Sequence, residues 1–206
     1  MQQMRKDHNL IKRNMINEFV KPGAKVLDCG CGRGGDLLKW QSVKAQVTCV
    51  DPDAESLEEA KRRAKEIGFK AKFVLGDIHK VTNGPFDIVC YNFSLHYEKN
   101  FETIVSSVKP GGLLIGLVPD PDRLETEWFM DRLGNTCIRD GDTLKVKLCD
   151  GPFYNGSEKS EPILDTLKLK NILKNCFETI VWESMTGAPT GLISDIYTKF
   201  VFKKNV

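Results

Sequence analysis

Apolar residues recur at helical spacing from Leu10 and Ile11 through Met15 and Ile16 to Phe19, and Pro22-Gly23 then breaks the pattern. A helix is therefore predicted over residues 8–20. Lys25-Val-Leu-Asp28 reads as a short buried strand entering a glycine-rich turn, and Asp36 to Trp40 begins a second helix. Ala45 to Val50 reads as a strand ending at Asp51. Ala54 to Ile67, rich in Glu, Lys, Arg and Ala, reads as a solvated helix closed by Gly68. Lys72 to Leu75, Phe86 to Tyr91 and Leu113 to Val118 supply three more strands, with a helix over 99–108 that Pro110-Gly-Gly112 ends. Strands alternating with helices over the first 118 residues predict a parallel sheet covered on both faces. Right-handed crossovers make such a sheet doubly wound.

The last third is less regular. Ile138 to Cys149 alternates as a hairpin arm does, and Gly151 to Pro162 is rich in turn residues. Leu164 to Lys174 reads as a helix, and Glu178 to Glu183 and Tyr197 to Lys203 as strands. The expected class is α/β: a Rossmann-like sheet, mostly parallel with an antiparallel strand, flanked by helices. No repeat, low-complexity tract or linker interrupts the chain, so one domain over 1–206 is expected.

Composition narrows this picture only a little. The 206 residues are 41% hydrophobic, enough for one sizeable core. Thirty Lys and Arg against 28 Asp and Glu give a net charge of +2, far from the balance of a protein that coats nucleic acid. A partner touched through a few phosphates stays compatible with it. No apolar run is long enough to cross a bilayer and no charged-then-apolar leader opens the chain, so a soluble intracellular protein is expected. Of seven cysteines, Cys29, Cys49 and Cys90 lie in apolar strand-like runs, and Cys29-x-Cys31 is the one close pair. No second Cys/His pair stands at zinc spacing, so buried free thiols in a reducing compartment are expected, and no metal.

The chemistry concentrates first in Val26-Leu-Asp-Cys-Gly-Cys-Gly-Arg-Gly-Gly-Asp36, at the carboxyl end of the first strand. Doubly wound sheets bind ligands there, and glycines let the backbone turn sharply and come close to them. The spacing is Asp28-x-Gly30-x-Gly32-x-Gly34, with a carboxylate before the first glycine and Asp36 directly after the loop. Two such charges would repel a dinucleotide pyrophosphate but attract an ammonium beside a sulfonium. The pattern favours S-adenosylmethionine over NAD. Asp51 closes the second strand, where an acid accepts from ribose hydroxyls, and Asp77 closes the third, placed to accept from an adenine amine. Each acid also suits a helix N-cap or a turn. Three acids at successive strand ends on one rim argue for a cofactor.

Four stretches, the glycine loop among them, resemble the messenger-RNA cap guanine-N7 methyltransferases of eukaryotes and large DNA viruses, a class I methyltransferase family. His8-Asn9-Leu10-Ile11-Lys12 is similar to that family's Asn-Asn-x-x-Lys helix, with His8 in place of the first asparagine. The likeness implies that Lys12 holds the cofactor carboxylate and that Asn9 lies near the cap. The glycine loop through Trp40 is also similar, with Arg33 where the family usually has lysine. Arg33 and, further along, Arg63 are thereby implied as ligands of the cap triphosphate. Arg63 also belongs to the charge run Lys61-Arg62-Arg63, which suits a solvated helix face.

Asn92-Phe-Ser-Leu-His-Tyr97 is similar to the family's Phe-x-x-His-Tyr loop, which faces the transferable methyl. It implies Asn92 and Phe93 beside the cofactor and His96 and Tyr97 at the acceptor. Glu161-Pro-Ile-Leu164 resembles the family's Glu-Tyr-Leu segment, with Pro162 replacing tyrosine. Glu161 would accept from guanine N1–H and the exocyclic amine while an imidazole N–H of His96 donates to O6. That pair reads the Watson–Crick edge and leaves N7 free. Val118-Pro119-Asp120 and Asp195-Ile-Tyr197 are similar to the turn and closing strand that line the cap pocket, implying Pro119 and Tyr197 as cap contacts.

The resemblance implies methyl transfer from S-adenosylmethionine to guanine N7 of a GpppN-capped mRNA, releasing S-adenosylhomocysteine. N7 carries an in-plane lone pair, so no general base is expected; His96, Tyr97 and Glu161 orient the acceptor. Two alternatives stand beside it: a methyltransferase with another acceptor, and a non-catalytic cofactor-binding subunit of a capping complex. The compact chain suggests an excised domain of a multifunctional capping protein or a small viral version. Accompanying capping-enzyme domains or a stimulatory subunit would be its partners. The expected location is the cytoplasm (virus factory or virion) if viral and the nucleus if cellular.

Overall fold

The computed structural model describes residues 2–99, 101–124, 126–149 and 157–206. Helix α1, Gln2–Phe19, starts six residues before the expected position and ends near it. Then come β1 (Lys25–Cys29), α2 (Leu37–Ser42), β2 (Gln46–Asp51), α3 (Ala54–Glu66), β3 (Lys72–Leu75), β4 (Phe86–Asn92) and α4 (Phe101–Ser107). Strand β5 runs over Val108–Pro119, so Pro110-Gly-Gly112 interrupts it as an irregularity instead of preceding it. Three short antiparallel strands follow, β6 (Trp128–Met130), β7 (Thr136–Asp140) and β8 (Thr143–Lys147), and then β9 (Glu158–Pro162). The chain ends with α5 (Thr166–Leu173), β10 (Phe177–Ser184) and β11 (Tyr197–Lys204).

The main sheet has seven strands in the order β10-β11-β5-β4-β1-β2-β3. Strand β11 is antiparallel to both neighbours, and the pairs among β1 to β5 are parallel. This is the expected mostly parallel sheet with one reversed strand. Alternation along the strands splits the core between the two faces. Leu27, Val89 and Leu114 pack with Ile104 of α4 and Leu169 and Leu173 of α5. Val26, Cys49, Ile88 and Ile115 pack with Met15 and Ile16 of α1, Trp40 of α2 and Leu57 of α3. The order reverses between β1 and β4, so a crevice opens at their carboxyl ends.

A second sheet, β6-β7-β8-β9, was only half anticipated. The hairpin β7–β8 falls where the alternation places it. Strand β9 corrects the turn-rich reading of 151–162 in its described part; residues 151–156 lie outside the described residues. Glu158-Lys-Ser-Glu-Pro162 has no apolar periodicity and is a strand because β8 pairs with it, Leu144 opposite Glu161. The sheet buries Cys137, Leu144 and Val146 against Met4 of α1, Leu117 of β5 and Tyr197 of β11. It thereby covers the crevice on the β5–β11 side. Asp131 fixes it there, accepting from the amides of Leu133, Asn135 and Ile193.

Candidate active site

The carboxyl ends of β1, β2 and β4 bring the cofactor-side residues to one rim. In the glycine loop the backbone is left-handed at Gly30 (φ 70°), Gly32 (φ 51°) and Gly34 (φ 74°), which favours glycine at each. Their surroundings differ. A Cβ at Gly30 would sit 2.5 Å from Ser94 Cβ, and one at Gly34 2.5 Å from Leu37 Cδ1, whereas one at Gly32 meets nothing within 4 Å. Gly30 and Gly34 are thus demanded by the protein's own packing. Of these three, Gly32 turns its bare Cα towards open space, as a ligand approach requires.

Behind the loop lies a buried network of charges. Trp40 Nε1 donates to Asp28 Oδ2 at 2.9 Å. Asp36 Oδ1 is 2.7 Å from both Lys12 Nζ and Lys39 Nζ, and Asp36 Oδ2 accepts from Asn92 Nδ2 at 2.9 Å. Burial pulls the Asp36 carboxyl upward, but the two ammonium groups outweigh it and hold it at about 2. Asp28 has no such partner. Burial, and then the charge of Asp36, push it up to about 7.

The two lysines divide the work. Lys39 is buried and uses its three N–H donors on Asp36, Asn9 Oδ1 (2.9 Å) and the Gly35 carbonyl (3.0 Å). Lys12 pairs with Asp36 and stands 5.9 Å from the centre of the Phe93 ring, so it retains donors for a ligand carboxylate. Lys39 carried no expectation; its signal is the Asp36/Lys39 spacing of three along a helix.

Asp51, buried at the end of β2, accepts from the Gly32 amide at 2.7 Å and the Asp53 amide at 2.9 Å. It tethers the glycine loop, and a carboxylate's remaining lone pairs can still serve a ribose. Asp77 is exposed and accepts from the His79 amide at 3.0 Å, the turn role weighed for it from sequence.

The acceptor side is built from four distant segments. The short helical turn Leu95–Tyr97 after β4 carries His96, which is buried. Glu161 reaches it from β9, also buried, with Oε2 3.4 Å from His96 Nε2. That approach is not a hydrogen bond, and both ring nitrogens of His96 lack hydrogen-bond partners, as does Asn92 Oδ1. An unmet buried donor or acceptor costs about 1–3 kcal/mol, so three in one crevice mark a place shaped for a polar ligand.

Tyr97 packs on His96 with ring centroids 4.2 Å apart while half exposed, and Tyr197 lies buried where β11 meets Pro119. Burial and then Glu161 raise the Tyr97 hydroxyl to about 12, and the same two causes push Tyr197 up. Both phenols stay protonated at neutral pH. Phe93 bridges the two sides. It holds a left-handed backbone (φ 63°), a conformation that costs a non-glycine residue about 1–2 kcal/mol, and meets Tyr197 edge-on at 5.1 Å.

The two residues of the α1 motif turn to different neighbours. Asn9 Oδ1 accepts from Lys39 Nζ at 2.9 Å, on the side of the charged network. His8 Nε2 is 2.7 Å from Ser194 Oγ, and its ring stacks on Phe93 at 5.6 Å. The two arginines also separate. Arg33 sits on the loop, ion-paired with Glu55 at 2.8 Å on the surface. Arg63 pairs with Glu59 on the exposed face of α3. Nine residues into a helix that runs away from the rim, it lies about 13 Å down that helix. The structure gives it the solvated-face role and does not bring it to His96 and Glu161. Among the described residues no group of three or more His, Cys, Asp or Glu side chains could hold a metal. No described helix is long and apolar enough to cross a membrane.

Residues 1–139, more than half of the chain, match the mRNA (guanine-N(7))-methyltransferase domain. Similar proteins include the mRNA cap guanine-N(7) methyltransferase of Caenorhabditis elegans, 32% identical over 59% of this chain and 40% of that protein. That of Candida glabrata is 28% identical over 86% of this chain and 49% of its own length. The chain thus spans less than half the length of either relative. Both are eukaryotic and neither lends support to a viral origin. Among solved structures, an S-adenosylmethionine-dependent methyltransferase from Clostridium acetobutylicum superposes with a TM-score of 0.64 at 18% identity, over 97% of this chain and 91% of that one. At that identity the likeness concerns the fold. His96 lies within the matched stretch 1–139 and Glu161 outside it, so their meeting is a result of the tertiary structure.

Proposed function

The chain belongs to the mRNA (guanine-N(7))-methyltransferase family, and on that premise we propose that it methylates N7 of the guanine capping an RNA 5′ end, using S-adenosylmethionine. The observation that carries the reading is the buried approach of Glu161 to His96, whose ring nitrogens are unmet. An acceptor and a donor side by side, both buried, fit the N1–H, exocyclic amine and O6 of guanine, and mismatch adenine at each position. Pro119, Tyr97 and Tyr197 would wall the purine, and aromatic faces suit a base that becomes cationic on methylation.

The cofactor side fits an amino acid attached to a nucleoside. Its ammonium would meet Asp36 and its carboxylate Lys12, replacing one ion pair by two, and Asn92 Oδ1 offers a further buried acceptor. The space at Gly32 admits the ligand, and Asp51 would take the ribose. When bound, S-adenosylmethionine supplies an electrophilic methyl group on a sulfonium. The chain's residues need move no proton. They hold N7 in line and exclude water, so the acceleration comes from positioning and from a charge distribution suited to a cation passing across the crevice. Arg33, on the exposed side of the glycine loop, would serve a cap phosphate.

The test is methyl transfer from labelled S-adenosylmethionine to GpppA-capped RNA, with ApppA-capped and uncapped RNA beside it. Label recovered as 7-methylguanine only from GpppA-RNA is the expected result. Equal labelling of ApppA-RNA would overturn the proposal.

A further inference from the structure

Ser94 stands at the N-cap position of the short turn Leu95–Tyr97, which carries His96 and Tyr97. A serine there ordinarily spends its side-chain oxygen on a free amide of the turn that follows. The side chain of Ser94 makes no such cap bond. Its Oγ donates instead to the backbone carbonyl of Cys29 at 2.6 Å, at the end of β1. The next residue is Gly30, where a Cβ would fall 2.5 Å from Ser94 Cβ and 2.9 Å from Ser94 Oγ. The serine thus fills the space that the bare Cα of Gly30 leaves, and the glycine loop and the acceptor turn are keyed together there. Phe93 explains why a tie is needed. Its left-handed backbone (φ 63°) persists only where the surroundings fix it. Its own N–H donates to the Leu117 carbonyl at 2.8 Å, and the Ser94 hydroxyl fastens the chain one residue later.

We propose that Ser94 is a positioning residue for methyl transfer, its hydroxyl holding the acceptor turn in register with the cofactor loop through the Cys29 carbonyl. This deepens the reading of the crevice as a cap-guanine site and rests on it. Cys29 lies between Asp28 and the glycine loop, and His96 follows Ser94 by two residues. One hydrogen bond therefore links the strand end that places the methyl donor to the turn that places the purine. Because attack by N7 needs no proton moved, the rate depends on the line through N7, the methyl carbon and sulfur. Each ligand keeps its own contacts when the hydroxyl is removed, since Lys12, Asp36, His96 and Glu161 are untouched. Their mutual register is what the bond supplies. The turn itself stays folded without it: Leu95 is buried in the core, and Tyr91 O–H donates to Glu98 Oε2 at 3.2 Å just past the turn.

The experiment compares the wild-type chain with Ser94→Ala, which deletes the hydroxyl and leaves every carbon in place. Three quantities are measured for each, with thermal melting to establish folding. They are the S-adenosylhomocysteine dissociation constant by calorimetry, the single-turnover rate of methyl transfer from S-adenosylmethionine at saturating GpppA-RNA, and the RNA concentration that gives half that rate. A misplacement of about 1 Å costs roughly a hundredfold in rate, and one lost tie allows a fraction of that, so the single-turnover rate should fall about tenfold. Cofactor affinity and the half-saturating RNA concentration should hold within about twofold. A single-turnover rate unchanged in Ser94→Ala would overturn the Ser94 assignment alone. So would a loss that resides in cofactor affinity, in half-saturation or in partial unfolding at the assay temperature, since each makes the bond a structural one. A wild type that fails to methylate GpppA-RNA in preference to ApppA-RNA would overturn the cap-guanine reading and the Ser94 assignment with it.

Discussion

The two sides of the crevice are built on opposite principles. On the cofactor side every charge already has a partner: Asp36 is held by Lys12, Lys39 and Asn92, and Asp28 by Trp40. On the acceptor side His96 keeps two unmet nitrogens while Glu161 approaches without bonding it. The first side is a preformed, locally encoded cradle. The second is assembled from α1, the β4 turn, β9 and β11, and the ring nitrogens of His96 would be completed by the acceptor. The contrast teaches that cofactor affinity and acceptor choice should be separable by mutation.

The sharpest separation should come from Glu161→Ala and His96→Ala. Each removes one partner from the purine edge, and about 3 kcal/mol of lost transition-state binding corresponds to roughly a hundredfold drop in kcat/KM on GpppA-RNA. Cofactor affinity, measured by calorimetry, should hold within about twofold. A matching loss of cofactor binding in both would erase the distinction. Lys12→Met tests the other side, and its expected effect is cofactor binding weakened roughly tenfold, the scale of one charge-assisted hydrogen bond. GpppA affinity at saturating cofactor should stay close to wild type.

A smaller effect follows from Asp28. Its carboxyl titrates at about 7 in the folded chain against 3.8 in the unfolded one, because burial and Asp36 oppose the charge. The folded state thus binds the proton more tightly, so this group stabilises the free protein fully below about pH 4 and the contribution fades as pH rises through 7. A cationic cofactor favours the ionised acid, so its affinity should show the reverse trend and improve by a few-fold from pH 6 to 8. Both trends should flatten in Asp28→Asn, read by thermal melts and calorimetry across that range. Least affected of all should be Arg63→Ala. Arg63 is in an exposed pair with Glu59, so KM for capped RNA is expected to change less than twofold. A tenfold rise would return Arg63 to the phosphate site.

What could be read from sequence follows the same division. The βα alternation set the parallel part of the main sheet, down to β3 at Lys72–Leu75, because buried parallel strands carry their signal in continuous apolar runs, whereas an antiparallel strand was expected without being assigned to β11. Asp28, Asp36 and Asp51 could be placed on one rim because strand, turn and helix are contiguous there, whereas Asp77 takes the turn role. Glu161 was singled out by its resemblance to a family segment, but its strand was not, since Glu158-Lys-Ser-Glu-Pro162 has no apolar face and pairs only because β8 is present. Strand β6 is three residues long and gave no periodicity to find. Asn9 turns to Lys39 and His8 to Ser194 because neighbouring helical residues point about 100° apart, which a motif alignment alone does not resolve. Lys39, buried with every donor used, lay inside the quoted loop without drawing notice.

The central claim, that Glu161 reads the purine edge, is tested most directly by capped RNAs that differ in one group. Inosine keeps O6 and N1–H but lacks the exocyclic amine, so GpppA-RNA and IpppA-RNA would be compared as substrates of the wild type and of Glu161→Ala. The account predicts that the wild type prefers guanine by about tenfold in kcat/KM and that most of this preference disappears in the variant. The same guanine-to-inosine ratio in both proteins would contradict it.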